Sequence, residues 1–152
     1  LDFLGQLLSD GKKAPLYRVL TEDMEVTSRP YAFNSSDQIA GKFRISVTAN
    51  AGVDLDSVES GINKAFALFE KEGIKTEDIE RIKAGLETDF YNGISSVLGK
   101  SFQLAQYDVF ADDPGFIEKD IENIKAVTAD DVMRVYEKYI KGKKNHVVGQ
   151  IN

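Results

Sequence analysis

Lys42-Phe43-Arg44-Ile45-Ser46-Val47-Thr48-Ala49 decides the fold. Phe43, Ile45, Val47 and Ala49 alternate with Lys42, Arg44, Ser46 and Thr48. A two-residue period puts the first set on one side of a pleated strand and the second on the other, which predicts a strand with one buried face. Upstream, Val26 to Asn34 is rich in Tyr and Phe and predicts a second strand. Pro30 lies inside it and donates no ladder hydrogen bond, so an edge or a bulge is expected there. Asn34 to Gly41 holds the turn residues between the two, giving an antiparallel hairpin.

Helices flank the hairpin. Before it, Leu1, Leu4, Leu7 and Leu8 recur at helical spacing, and Gly11 offers a left-handed stop. Pro15 suits the first turn of a second helix whose apolar face is Leu16, Val19 and Leu20. After it, Asp54 or Asp56 caps a helix with the stripe Leu55, Val58, Ile62, Ala65, Phe66 and Phe69, ended by Gly73. Thr76 caps the next, with Glu77 and Asp78 near its positive end. Its apolar period runs to about Phe110, and Gly85, Gly93 and Gly99 weaken it, so a break near Gly93–Gly99 is expected. Asp113 caps a segment with Phe116, Ile117, Ile121 and Ile124. Thr128-Ala129-Asp130-Asp131 is an acidic variant of the capping box and opens a last helix, closed by Gly142. His146 to Ile151 predicts a final strand. With no βαβ alternation, the fold class is α+β, helices packed on one face of a mostly antiparallel sheet. Three strands are few for so much helix, so a further strand is expected ahead of Leu1. The chain, opening without Met on an amphipathic pattern, is expected to be a fragment of a larger protein, with residues 1–152 forming one domain.

Composition excludes several functions. Net charge is −6, which disfavours binding nucleic acid, where Lys and Arg must neutralise phosphates. No apolar run reaches the roughly 20 residues of a membrane helix. Without cysteine there is no disulfide, thiolate metal site or Cys nucleophile. His146 is the only histidine, so neither His-Glu-x-x-His nor His-x-x-Glu-His can occur, and a packing or surface role is expected for it. A hydrolase triad through His146 lacks a Gly-x-Ser-x-Gly elbow.

The acidic pairs Asp54/Asp56, Asp112/Asp113 and Asp130/Asp131 each stand where a helix begins, and are read as caps rather than catalytic or calcium-binding groups. Ser9-Asp10-Gly11-Lys12-Lys13 lacks the phosphate-loop pattern and reads as a helix–helix turn. Lys138, Lys141, Lys143 and Lys144 form a basic helix end, and Asn34-Ser35-Ser36 matches the short glycosylation acceptor. Tyr31 and Phe33 could line a peptide groove, although strand aromatics more often fill cores or cross-strand pairs. No catalytic, cofactor-binding or metal residue is assigned, and substrate-binding residues are left unassigned.

Three stretches resemble the insulinase/pitrilysin family, the inverted zinc metallopeptidases, whose fold is shared with mitochondrial processing peptidase and LuxS. They are Leu7 to Tyr17 with its helix, glycine turn and helix start; Phe43 to Val53, Val58 and Glu72 to Lys83; and Asp113-Pro114 with Val127 to Val132. Their succession covers nearly the whole chain. The resemblance is to a later, non-catalytic domain. It implies that zinc belongs to a catalytic domain of the parent, on the same polypeptide or on a partner subunit, and that this domain helps enclose oligopeptide substrates in a chamber. In some members a later domain contributes an Arg and a Tyr to substrate; by spacing these positions are Thr21 and Ser28 here, and the role is not carried over. The alternative is a catalytically dead relative serving as a scaffold or processing-complex subunit. A bacterial periplasm or envelope is favoured by the resemblance, and self-association through an exposed sheet edge is expected.

Overall fold

The computed structural model describes residues 1–35, 41–111, 113–143 and 148–149. The order is α1 (Asp2–Ser9), α2 (Pro15–Tyr17) continuing as a π-helical turn (Arg18–Asp23), β1 (Tyr31–Ser35), β2 (Lys42–Ser46), α3 (Leu55–Glu72), α4 (Thr76–Gly93), α5 (Val97–Ala111), a 3₁₀ turn (Pro114–Phe116), α6 (Ile117–Ala126) and α7 (Ala129–Tyr139). The class is α+β: mostly helical, with a two-stranded antiparallel sheet among the described residues. Two compact units result, Leu1–Ile74 with Asp130–Asn152, and Lys75–Ala129.

In the first unit the hairpin stands as the alternation predicts, with Tyr31 opposite Ser46, Phe33 opposite Arg44 and Ser35 opposite Lys42. Both strands are shorter than expected, β1 covering only Tyr31–Ser35 and β2 ending at Ser46 rather than Ala49. Thr27 bridges to Ala49, but the regular ladder starts only at Tyr31. Four steps from Thr27 to Tyr31 face three from Ala49 to Ser46, a one-residue bulge around Pro30. The Thr27 hydroxyl donates to the Thr48 carbonyl at 2.6 Å, pinning the irregular stretch. Phe43, Ile45, Val47 and Ala49 share a face but are only half-buried.

Helix α1 lies directly on β1. A Cβ on Gly5 would sit 3.0 Å from the Ala32 carbonyl oxygen, so the missing side chain allows the close approach. Leu4, Leu8, Leu16 and Leu20 are fully buried, and Pro15 occupies the first helical turn of α2. The π-helical turn inserts a residue that the sequence pattern does not reveal: Met24 N–H reaches the Val19 carbonyl. The chain then reverses at Glu25, whose φ of 52° is held by the Asn50 side-chain amide donating to its carbonyl at 2.8 Å. Helix α3 buries Val58, Gly61, Ala65 and Phe69, and Gly73 ends it at φ 69°.

In the second unit the predicted long helix is broken where its glycines cluster, α4 ending at Gly93 and α5 starting at Val97. Lys125 of α6 pairs with Glu87 of α4 at 2.9 Å. The final strand predicted over His146–Ile151 falls mostly outside the described residues; Val148 and Gly149, which are described, lie in no strand.

Candidate functional site

The hairpin has an inner and an outer face. Pro30 and Ala32 are buried on the inner face. On the outer face β1 and its approach carry Arg29, Tyr31, Phe33 and Ser35, while β2 and its exit carry Lys42, Arg44, Ser46 and Thr48. Tyr31 is 54% exposed, and its ring lies 5.3 Å from Phe33 at a 31° tilt. The Arg44 guanidinium sits over the Phe33 ring, 5.7 Å from its centroid. Tyr31 and Phe33 are therefore neither core nor a cross-strand aromatic pair. They form an open aromatic surface beside three cations, none of which has an ion-pair partner among the described residues.

This face was readable only in part. The alternation already set Lys42 and Arg44 apart from Phe43 and Ile45. Register was the missing signal, because it alone brings Arg44 opposite Phe33.

The other residues singled out by sequence fall into structural roles. Asp54 is the N-cap residue of α3, but its side chain makes no capping hydrogen bond; Asp56 lies in the first turn. Asp113 Oδ1 accepts from Gly115 N–H at 2.8 Å, the expected cap geometry, and Asp131 accepts from Arg134 at 3.0 Å. Asp112 and His146 lie outside the described residues. Ser9 to Lys13 forms the helix connection, Ser9 Oγ donating back to the Gly5 carbonyl at 2.9 Å. The basic end disperses: Lys138 lies over Tyr139 and Lys141 pairs with Glu70 at 3.1 Å. Thr21 sits within the π-helical turn with its hydroxyl buried and unpartnered, and Ser28 is exposed. Asn34 donates to Asp2 at 3.3 Å and is half-buried.

Electrostatic perturbation concentrates at side-chain pairs. The Tyr136 hydroxyl and Lys141 hold Glu70 below its usual range, while burial and Glu70 push Tyr136 up. Arg18 donates to both oxygens of Glu72 at 2.8 Å, and that hydrogen bonding raises its pKa. In the second unit, burial first and Asp120 second push Tyr107 up to about 12. Both phenols are buried and shifted upward, which keeps them protonated hydrogen-bond donors in packing roles. An open depression along α3, about 550 Å³, is lined by Asp56, Glu59, Ser60, Asn63, Lys64 and Ala67, side chains of a solvated helix face. Among the described residues no three His, Cys, Asp or Glu side chains gather to hold a metal ion, and no helix is long and apolar enough to cross a membrane.

The family model described as "Peptidase M16 inactive domain" matches residues 1–86. Among curated proteins none matches by sequence. The fold is similar to that of a candidate zinc protease from Bordetella pertussis Tohama I, with TM-score 0.75 and 16% identity over 87% of this chain and 71% of that one. It is equally similar to the inactive peptidase domain of a candidate zinc protease from Bordetella parapertussis, with TM-score 0.76 and 16% identity over 88% and 72%. A protease from Helicobacter pylori gives TM-score 0.76 and 20% identity over 91% of this chain, which spans only 33% of that one. With the matched residues running from α1 into α4, the chain belongs to the inactive-domain family of the M16 peptidases, the inverted zinc peptidases that its sequence resembles.

Proposed function

We propose that this chain is a non-catalytic domain of a zinc metallopeptidase, residues 1–152 acting as one such domain beside a catalytic domain that holds zinc and cleaves peptides. The observation that carries the reading is the match of residues 1–86 to an inactive peptidase domain, in a chain with one histidine and no cysteine. Among the described residues no three His, Cys, Asp or Glu side chains converge, which supports assigning the zinc to the catalytic domain. The domain's work is then to bind the catalytic domain and help enclose extended peptides. Both strands of the described sheet have one edge without a described partner strand, which supports a further strand joining the sheet in a processing-peptidase-like arrangement.

The test is co-expression of the tagged chain with the zinc-bearing domain encoded beside it. Co-purification, with peptide cleavage that needs both parts, is the expected result. Full cleavage by the zinc-bearing domain alone, with no association, would sink the proposal.

A further inference from the structure

We propose that the outer face of the β1–β2 hairpin docks extended polypeptide carrying acidic side chains at alternate positions. The inference rests on the reading above and names the class of peptide that the domain selects.

Charge is the first argument. The chain carries a net −6, yet the eight outer-face positions from Arg29 to Ser35 and Lys42 to Thr48 include three cations and no carboxylate. Such segregation favours a local positive field, and none of the three cations is ion-paired to a described acidic group. Geometry is the second. Lys42 and Arg44 are two residues apart on one strand, about 7 Å along it. Side chains i and i+2 of an extended peptide repeat at that same distance, whereas neighbours on one helix face stand about 5–6 Å apart. A Glu-x-Glu segment lying along β2 therefore places one carboxylate at each cation.

The aromatic pair is the third argument. Stacking on Phe33 orients the Arg44 guanidinium while leaving its edge donors open to a carboxylate fork. Tyr31, exposed and tilted against Phe33, offers an apolar shelf for the peptide's stem carbons. A single-stranded nucleic acid would also use cations and aromatics. The chain's overall negative charge opposes the approach of a continuous polyanion, and an isolated Glu-x-Glu within neutral peptide meets less of that repulsion.

Fluorescence anisotropy of the 152-residue chain decides the matter, with labelled unstructured peptides in which Gly alternates with Glu, Gln or Lys. The Glu peptide is expected to bind about tenfold more tightly than the Gln peptide at low salt, the gap closing near roughly 0.5 M salt. The exposed-site double variant Lys42→Gln/Arg44→Gln is expected to remove that tenfold gap and leave the Gln peptide unaffected, with an unchanged melting curve. Equal binding of Glu and Gln peptides, a gap that survives the double variant, no peptide binding at all, or tighter binding of a single-stranded oligonucleotide to this face each overturns the proposal. Co-purification with the zinc-bearing domain judges the broader reading independently of these outcomes.

Discussion

The Tyr136 hydroxyl donates to Glu70 Oε1 at 2.7 Å, fastening α7 to α3 across 66 residues of sequence. Only 2% of Tyr136 is exposed, and its ring meets Phe69 edge-on at 5.2 Å and 71°. Lys141 grips the other oxygen, Glu70 Oε2, at 3.1 Å. The phenol is thus a packing group and a donor to a carboxylate at once. Tyr136→Phe keeps the ring and should cost about 1 kcal/mol in urea unfolding; Tyr136→Ala should cost about 3 kcal/mol or more. Equal losses would mean that the hydrogen bond dominates.

The same contact has a pH signature. Glu70 is held below its ordinary value of 4.5, chiefly by the Tyr136 hydroxyl and then by Lys141. A carboxylate depressed in the folded state stabilises above its unfolded pKa, and that contribution is lost as pH falls through the folded one. The chain should therefore lose stability below about pH 4.5 more steeply than Glu70→Gln does. Parallel curves from urea titrations across the acid range would contradict the assignment.

Tyr107 gives the opposite sign in the second unit. Its hydroxyl donates to Asp120 at 2.7 Å and accepts from Gln103 at 2.9 Å, and burial above all raises it to about 12. A raised pKa stabilises fully below the unfolded value of 10.0 and is lost as pH rises through about 12. Tyr107→Phe should cost about 1 kcal/mol at neutral pH and flatten the alkaline loss between those values. Circular-dichroism melts across that range check it.

Two helical glycines should respond oppositely to alanine. A Cβ at Gly61 would run into Leu20 Cδ2 and come within 3.0 Å of Met24 Sδ, both in a packed region where Leu20 is fully buried. Overpacking costs about 1–3 kcal/mol, which exceeds the helix-propensity gain of about 1 kcal/mol. Gly61→Ala should lower stability. Gly85 has nothing within 4 Å of such a Cβ, so Gly85→Ala should raise stability by up to about 1 kcal/mol. Denaturant midpoints with unchanged slope give both numbers.

The outer side of α5 should tolerate polarity. Leu98, Phe102 and Val109 are 71%, 68% and 65% exposed and recur on one face, opposite the buried Tyr107. Phe102→Gln should change stability by less than about 0.5 kcal/mol while lowering hydrophobic-dye binding. A larger loss in thermal melts would show that this face is packed.

Sequence alone was enough for the features that are local. The alternation beginning at Lys42 yields a strand as far as Ser46, the Pro30 position an irregularity (an edge or a bulge, found as a bulge), the Gly93–Gly99 cluster a helix break, and Gly11 and Gly73 helix stops, because each depends on backbone preferences within a few residues. A single histidine and the absence of cysteine likewise rule out the family's metal motif without any coordinates. Tertiary structure decided what depends on distant chain segments meeting. Ladder register set Arg44 over Phe33, and burial decided among groove, core and cross-strand pair for Tyr31 and Phe33 by leaving them on an open surface; packing gave Gly61 its closeness to Leu20 and Tyr136 its carboxylate partner on α3. Periodicity specifies which face of an element is apolar. Which partner that face meets, and at what offset, is a property of the assembled chain.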